Sequence, residues 1–369
     1  LRVSTESQAQ RRFVSLDVFR GAAIVAMILV NNPGDRAVTF PQLLHASWHG
    51  YTFADTIFPA FLWIVGLALA LSMDARAARG ASRAALLGHA ARRAAILIAC
   101  GLFVEGFPYF DFAHYQYTGV LQKIAVAYFL AYAICLYTDW RGRMLALIAI
   151  FAAYICFMLG VHVPECGAGP WSPECNAAKY FNDQELAGHL WEASMNNDPD
   201  GIVGSIAATA SVLIGVLAGQ WFRRDVPSAG AAPLARLATL ALGLMLAGLG
   251  VAVWIPINKI LWTPSYTLFM GGVACAAFLV VFWLVERRGA GRWLKPLEIF
   301  GLNALAAYIL SRLGADVLKM HIHRWSIYHD LLLGLLPPTY ASLAFAVVNV
   351  LAVYLLAWCM YRMRIFVKL

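Results

Sequence analysis

Residues 264–285 read Pro-Ser-Tyr-Thr-Leu-Phe-Met-Gly-Gly-Val-Ala-Cys-Ala-Ala-Phe-Leu-Val-Val-Phe-Trp-Leu-Val, a run without one charged side chain. A helix needs about 20 mostly apolar residues to cross roughly 30 Å of hydrocarbon, so this stretch predicts a membrane span. Reading outward finds nine more, near 17–32, 53–73, 88–105, 119–137, 143–161, 201–222, 234–255, 297–315 and 340–361. The fourth and ninth are the weakest, with Lys123 and Asn303 inside them. No segment alternates over about ten residues as barrel strands do. The expected fold class is therefore all-α: a polytopic integral-membrane helical bundle of about ten spans, one domain over 1–369 without linkers.

Composition agrees. Of 369 residues 61% are apolar and 13% charged, against about 25% charged in an ordinary soluble domain. That excludes disorder, and it leaves too little charge to coat a soluble body of 40.4 kDa. The mean hydropathy of +0.68 points the same way. A formal charge of +8 would suggest nucleic acid in a soluble protein. Here it suggests basic inner loops, with the lipid bilayer as partner and no nucleic acid.

Orientation follows from the basic residues. With the N-terminus inside, 21 of 28 lysines and arginines fall in inner segments and five in outer ones (Arg36, Lys179, Lys259, Lys319, Arg324). Basic loops stay on the inner side, so both termini are expected inside, which needs an even number of spans. The first apolar run follows Arg11 and Arg12, holds Asp17 and Arg20 at its start, and precedes no small-residue cleavage pattern, so it reads as a retained helix. The longest outer loop, about 162–200, is acidic and carries Cys166 and Cys175, which predict a disulfide in an oxidising compartment. Eight of nine histidines also lie at or near the outer face.

The densest polar cluster joins the outer ends of the first two spans: Asn31-Asn32-Pro-Gly-Asp35-Arg36, His45-Ala-Ser47-Trp48-His49, Thr52 and Asp55. A neutral histidine can take a proton from an amine or hydroxyl, and a nearby asparagine can orient it or donate to an oxyanion. The structural alternative is a polar interfacial loop with aromatic anchors. Zinc on His45 and His49 is disfavoured, because no Glu lies between them and Pro41 and Gly50 oppose a helix. Asp55, inside a span, is a candidate by location and could pair with Lys123 or Arg36. Asp17 and Arg20 suit an ion pair at i,i+3, or Arg20 a phosphate contact. Asp198-Pro-Asp200-Gly201 reads as acidic capping of the sixth span. The outer segment Pro256-Ile-Asn258-Lys259-Ile-Leu-Trp262-Thr-Pro264 is unusually polar and rigid, and Asn303 could bind a helix or ligand. His321, His323 and His329 could hold a metal, though solvated loop histidines are the commoner case; no metal is expected.

Taken in order, these segments resemble the heparan-α-glucosaminide N-acetyltransferase family. The matching pieces are Leu16-Asp-Val-Phe-Arg-Gly21, Val30-Asn31, His45-Ala-Ser-Trp-His-Gly50, Thr52-Phe-Ala-Asp55-Thr-Ile-Phe-Pro59 and Gly119-Val-Leu-Gln-Lys-Ile124. Later come Asp198-Pro-Asp-Gly201, Ile255-Pro-Ile-Asn-Lys259, Leu261-Trp262, Gly301-Leu-Asn303 and Tyr361-Arg-Met-Arg-Ile-Phe366. The resemblance implies a single transmembrane acyltransferase-like domain that moves acetyl from cytoplasmic acetyl-CoA, as co-substrate, to a glucosamine-type amine on the far side. It places the family's catalytic histidine on His45 and its partner asparagine on Asn31. His49 departs from the Asn common in the animal enzymes and Lys123 from their Arg, and ten spans replace eleven. The expected setting is a bacterial inner membrane with the site mouth toward the periplasm, an envelope amino sugar as acceptor and a homodimer as the assembly.

Charge and position extend the expected site. Acetyl-CoA is too charged to cross a bilayer, so Arg20, Arg92 and Arg93 at the inner face are expected to take its phosphates, with Gln122 and Lys123 further along its path. Asp55, Asn258, Trp262 and Asn303 are the acceptor-side candidates, and Asp55 is also a candidate to hold the other nitrogen of the His45 imidazole. The competing function is an amino-sugar transporter, which should show broken helices at a midplane site in paired halves.

Overall fold

The computed structural model describes residues 13–77, 80–164, 166–167, 169–191, 197–223, 232–319 and 327–367. His321 and His323, and with them the three-histidine metal idea, lie outside the described residues. So do Arg2, Arg11, Arg12, Arg79, Arg224, Arg324 and Lys368 of the charge count. The described chain is helical: α1 (Val14–Asn31), α2 (Phe53–Ala77), α3 (Arg83–Gly106), α4 (Val120–Tyr137), α5 (Trp140–Gly160) and a short α6 (Ala177–Glu185). Then follow α7 (Ile202–Ala207), α8 (Thr209–Arg223), α9 (Ala232–Val251), α10 (Pro264–Phe282), α11 (Lys295–Leu302), α12 (Ala304–Lys319), a single turn α13 (Leu333–Leu335) and α14 (Pro338–Arg362).

Nine of these segments, with α7 and α8 forming one, are long and apolar enough to cross a membrane. The tenth expected span is not straight. α11 and the described part of α12 meet at 87° across Asn303, so the pair is a broken span or a re-entrant loop. Asn303 provides the reason: its Nδ2 donates to the Ile365 carbonyl at 3.0 Å and its Oδ1 accepts from Val367 N at 2.9 Å. The carboxamide thus supplies backbone partners to the C-terminal tail at the corner, at the end of the bundle away from His45.

The bundle centre is α7–α8, with 78% of the Ile202–Phe222 segment buried, whereas α5 and α9 bury 17% and lie at the periphery. Glycine permits the closest approaches. A methyl group on Gly66 of α2 would sit 2.0 Å from the Val212 carbonyl of α8, and one on Gly215 would sit 2.1 Å from that of Trp63. Small residues let membrane helices touch backbone to backbone, where packing replaces the missing hydrophobic drive. α1 and α11 repeat the device through Gly21 and Gly301. That contact lies near the start of α1, so α11 and the tail sit at the opposite end of the bundle from Asn31.

Candidate active site

At the Asn31 end, the 44–52 loop is tied down by the start of α2. Thr52 precedes the helix and Asp55 is its third residue, and Asp55 Oδ2 accepts the Thr52 N–H at 3.0 Å, one half of a capping box. The same oxygen accepts Ala46 N–H at 2.9 Å. Oδ1 faces His45 Nδ1 at 2.8 Å and Lys259 Nζ at 3.2 Å. The partner of Asp55 is therefore Lys259 together with His45, not Lys123 or Arg36. The carboxylate is 1% exposed and surrounded by donors. An acceptor-only carboxylate at Nδ1 requires the proton there, which leaves Nε2 with the lone pair.

Lys259 reaches this pair from the 256–263 segment, whose polar residues bond one another. Asn258 Oδ1 accepts Leu261 N–H at 2.8 Å, and the Thr263 and Ser265 hydroxyls donate to the Pro256 carbonyl at 2.9 and 3.0 Å. Asn258 Nδ2 lies 3.4 Å from His49 Nδ1, so Asn258 is spent on the loop and on His49. Trp262 adopts φ +55°, rare for a bulky residue. Its ring is held by Ser211 Oγ at 3.2 Å from Nε1 and by the Lys123 ammonium 3.8 Å above it. Lys259 Nζ then lies 2.9 Å from His45 Nδ1 and 3.3 Å from Nε2. Since the protonated Nδ1 cannot accept, the hydrogen-bond acceptor of the Lys259 ammonium is the Asp55 carboxylate, and the Nε2 lone pair stays available to the cleft.

Electrostatics follow the packing. Although its ring opens on the cleft, burial pulls the His45 imidazole below the ordinary 6.5; Lys259 and Arg36 push the same way and Asp55 opposes them. Burial lowers His49 and the Lys259 ammonium too, the latter against the pull of Asp55. The outcome at His45 is a neutral base at neutral pH.

His45, Asn31, Lys259 and Trp262 line one cleft of about 240 Å³, with Asp200, Glu105, Tyr308, Arg312 and Trp191 among the other walls. Among the described residues the Asn31 carboxamide has no hydrogen-bond partner, whereas Asn32 is buried and donates to the Ile28 carbonyl at 2.9 Å. One expected placement changes. Gly201, not an acidic side chain, caps α7; Ile202 N–H instead lies 3.3 Å from Asn182 Oδ1 of α6. Asp198 accepts from Thr118 Oγ1 and, at 2.8 Å, from Asp200 N–H.

The five residues expected to meet acetyl-CoA do not converge. Lys123 is fully buried at the His45 end, where it donates to the Pro199 carbonyl at 2.6 Å. Gln122 is buried beside Gly101, and neither of its polar atoms finds a partner. Arg20 is near the other end, 3.5 Å from Asp17 and 3.4 Å from the Gly301 carbonyl, which realises the i,i+3 pair. Arg93 stacks over Tyr128 at 4.7 Å, and Arg92 is exposed. In the long loop, Cys166 and Cys175 are joined by a disulfide with Cα atoms 5.5 Å apart. Reading the sequence singled out Asn31, His45 and Asp55 but not Lys259, Glu105 or Arg312 as site residues. Glu105 and Arg312 carried a signal, being charges near span ends that meet at 3.5 Å.

Fold and site define a class: a polytopic helical membrane protein with a histidine–carboxylate–lysine group in a cleft at one bundle end. Residues 12–170 match the family described as heparan-α-glucosaminide N-acetyltransferase, catalytic. The chain is similar to two proteins of that name, 28% identical to the human one over 352 residues and 26% identical to the mouse one over 381. The alignments cover 81% and 88% of this chain but 52% and 56% of those proteins, so the chain spans about half the length of the curated relatives it matches. The family match contains Asn31, His45, Asp55 and Lys123; Asp200, Lys259 and Trp262 lie beyond it.

Proposed function

We propose that the chain is a membrane acetyltransferase that moves acetyl from cytoplasmic acetyl-CoA to the amine of a glucosamine-type sugar at the outer face of a bacterial inner membrane. The carrying observation is the 2.8 Å contact of His45 Nδ1 with buried Asp55, in a cleft shared with Asn31. Asp55 orients the imidazole and holds its tautomer. His45 Nε2 takes a proton from the acceptor ammonium, and the amine nitrogen then attacks the thioester carbonyl carbon. Asn31 donates to the oxyanion of the tetrahedral intermediate. The C–S bond breaks, the leaving thiolate takes the proton held by His45, and the former amine nitrogen gives up its second proton through the freed Nε2 to solvent, so the products are amide, free thiol and one released proton. In a two-step variant Nε2 itself carries the acetyl group.

The relatives' printed names support the reaction class. The excess of basic residues in the segments opposite His45 supports the sidedness. The transporter reading has weaker support, because the sharply bent pair α11–α12 is closed by the tail on Asn303. Purified protein given labelled acetyl-CoA and glucosamine should form N-acetylglucosamine, with His45→Ala slower by about 10²–10⁴-fold. Label kept on the protein without acceptor marks the two-step route. Absence of product, or an undiminished His45→Ala rate, overturns the proposal.

A further inference from the structure

Asp200 lies in the same cleft as His45, and its backbone is locked independently of its carboxylate. Its N–H donates to Asp198 Oδ1 at 2.8 Å, and its carbonyl accepts from Ser205 Oγ at 3.0 Å. The side chain is 15% exposed, and among the described residues its carboxylate accepts no hydrogen bond. The nearest cation, Lys123 Nζ, is 3.9 Å away and already donates to the Pro199 carbonyl at 2.6 Å. The contrast with Asp55, enclosed by donors, is direct. Lys123 balances the charge of Asp200 without giving it a hydrogen. A largely desolvated carboxylate in that condition lacks donors rather than a counter-charge, and leaving it so is costly.

We infer that Asp200 is a hydroxyl-binding subsite, which accepts hydrogen bonds from ring hydroxyls of a polyhydroxylated acceptor. This rests on the acetyltransferase reading for the identity of the ligand. With the acceptor nitrogen against His45 Nε2, the donors left for Asp200 are the hydroxyls of the same ring. An ammonium is the poorer match, because Lys123 already supplies positive charge there. Trp191 in the cleft wall, 40% exposed, offers an apolar face to such a ring.

Equilibrium binding of glucosamine, 3-deoxyglucosamine and 4-deoxyglucosamine, measured without acetyl donor on the wild-type protein and on Asp200→Asn, tests the subsite. In the wild type at least one deoxy sugar should bind about 10–100-fold more weakly than glucosamine. In Asp200→Asn that penalty should shrink to about a few-fold, because the amide oxygen still accepts but without charge, a coupling that a purely structural role for Asp200 does not produce. Equal affinity of all three sugars for the wild type, or no binding of glucosamine, overturns the inference even where the variant fails to fold. An unchanged penalty in a folded variant overturns it as well. Acetyl transfer assayed in parallel reports separately on the underlying reading, since binding does not require chemistry.

Discussion

Lys259 presses an ammonium against the imidazole whose lone pair the proposed chemistry needs, 2.9 and 3.3 Å from its two nitrogens. A cation at that distance disfavours the imidazolium, and burial acts in the same direction. Replacing Lys259 by Met removes the cation and leaves Asp55 to favour the charged ring, so the His45 pKa rises. The acid limb of the kcat/KM profile should therefore move to higher pH by on the order of one pH unit, with Lys259→Arg staying near the wild type. A profile that does not move in Lys259→Met refutes the coupling. In the sequence, His45 and Asn31 stood out because polar side chains clustered between two apolar spans. Lys259 stood only in a polar outer segment 214 positions from His45, and nothing in its local pattern marks the partner it meets.

At the scale of elements, the α1–α11 contact is the most exacting. A methyl group on Gly301 would lie 1.8 Å from the Asp17 carbonyl, and one on Gly21 would lie 1.7 Å from that of Leu297. Backbone cannot yield as a flexible side chain can, so Gly301→Ala should lose about 3 kcal/mol or more, beyond the usual range for overpacking. A fall in Tm of the detergent-solubilised protein checks it, with Gly314→Ala, where an added methyl group meets open space, as the control. Nine spans were legible because their lengths and apolar runs satisfy the bilayer directly. The break at Asn303 was not, because the apolar run continues through Leu302 and Ala304, and hydropathy along a chain carries no information about the direction of the helix axis. Only the tail's Ile365 and Val367, 62 and 64 residues on, reveal why the axis turns there.

Across the whole molecule, the cleft and the α11 corner occupy opposite ends of the bundle, and the basic-residue asymmetry predicts which end faces the cytoplasm. Tyr109, 85% exposed beyond α3, and Trp293, 88% exposed before α11, are suitable reporters. In intact cells, with Cys156 and Cys359 replaced, a membrane-impermeant maleimide should label Tyr109→Cys and spare Trp293→Cys until the membrane is permeabilised. The reverse pattern would invert the proposed sidedness and place the acceptor inside.

Composition and spacing alone determined the membrane class, the number and place of the apolar segments and the side each loop should favour. These follow from solvation, which acts on each segment by itself. The tertiary structure alone decided that Lys259 joins Asp55 and His45, that Lys123 shares its end of the bundle with Asp200 rather than with Arg20, and that Asn303 serves a corner. Such pairings depend on which helices approach one another, and that choice is made by packing between segments distant in the chain, through glycines and buried hydrogen bonds that no local pattern encodes.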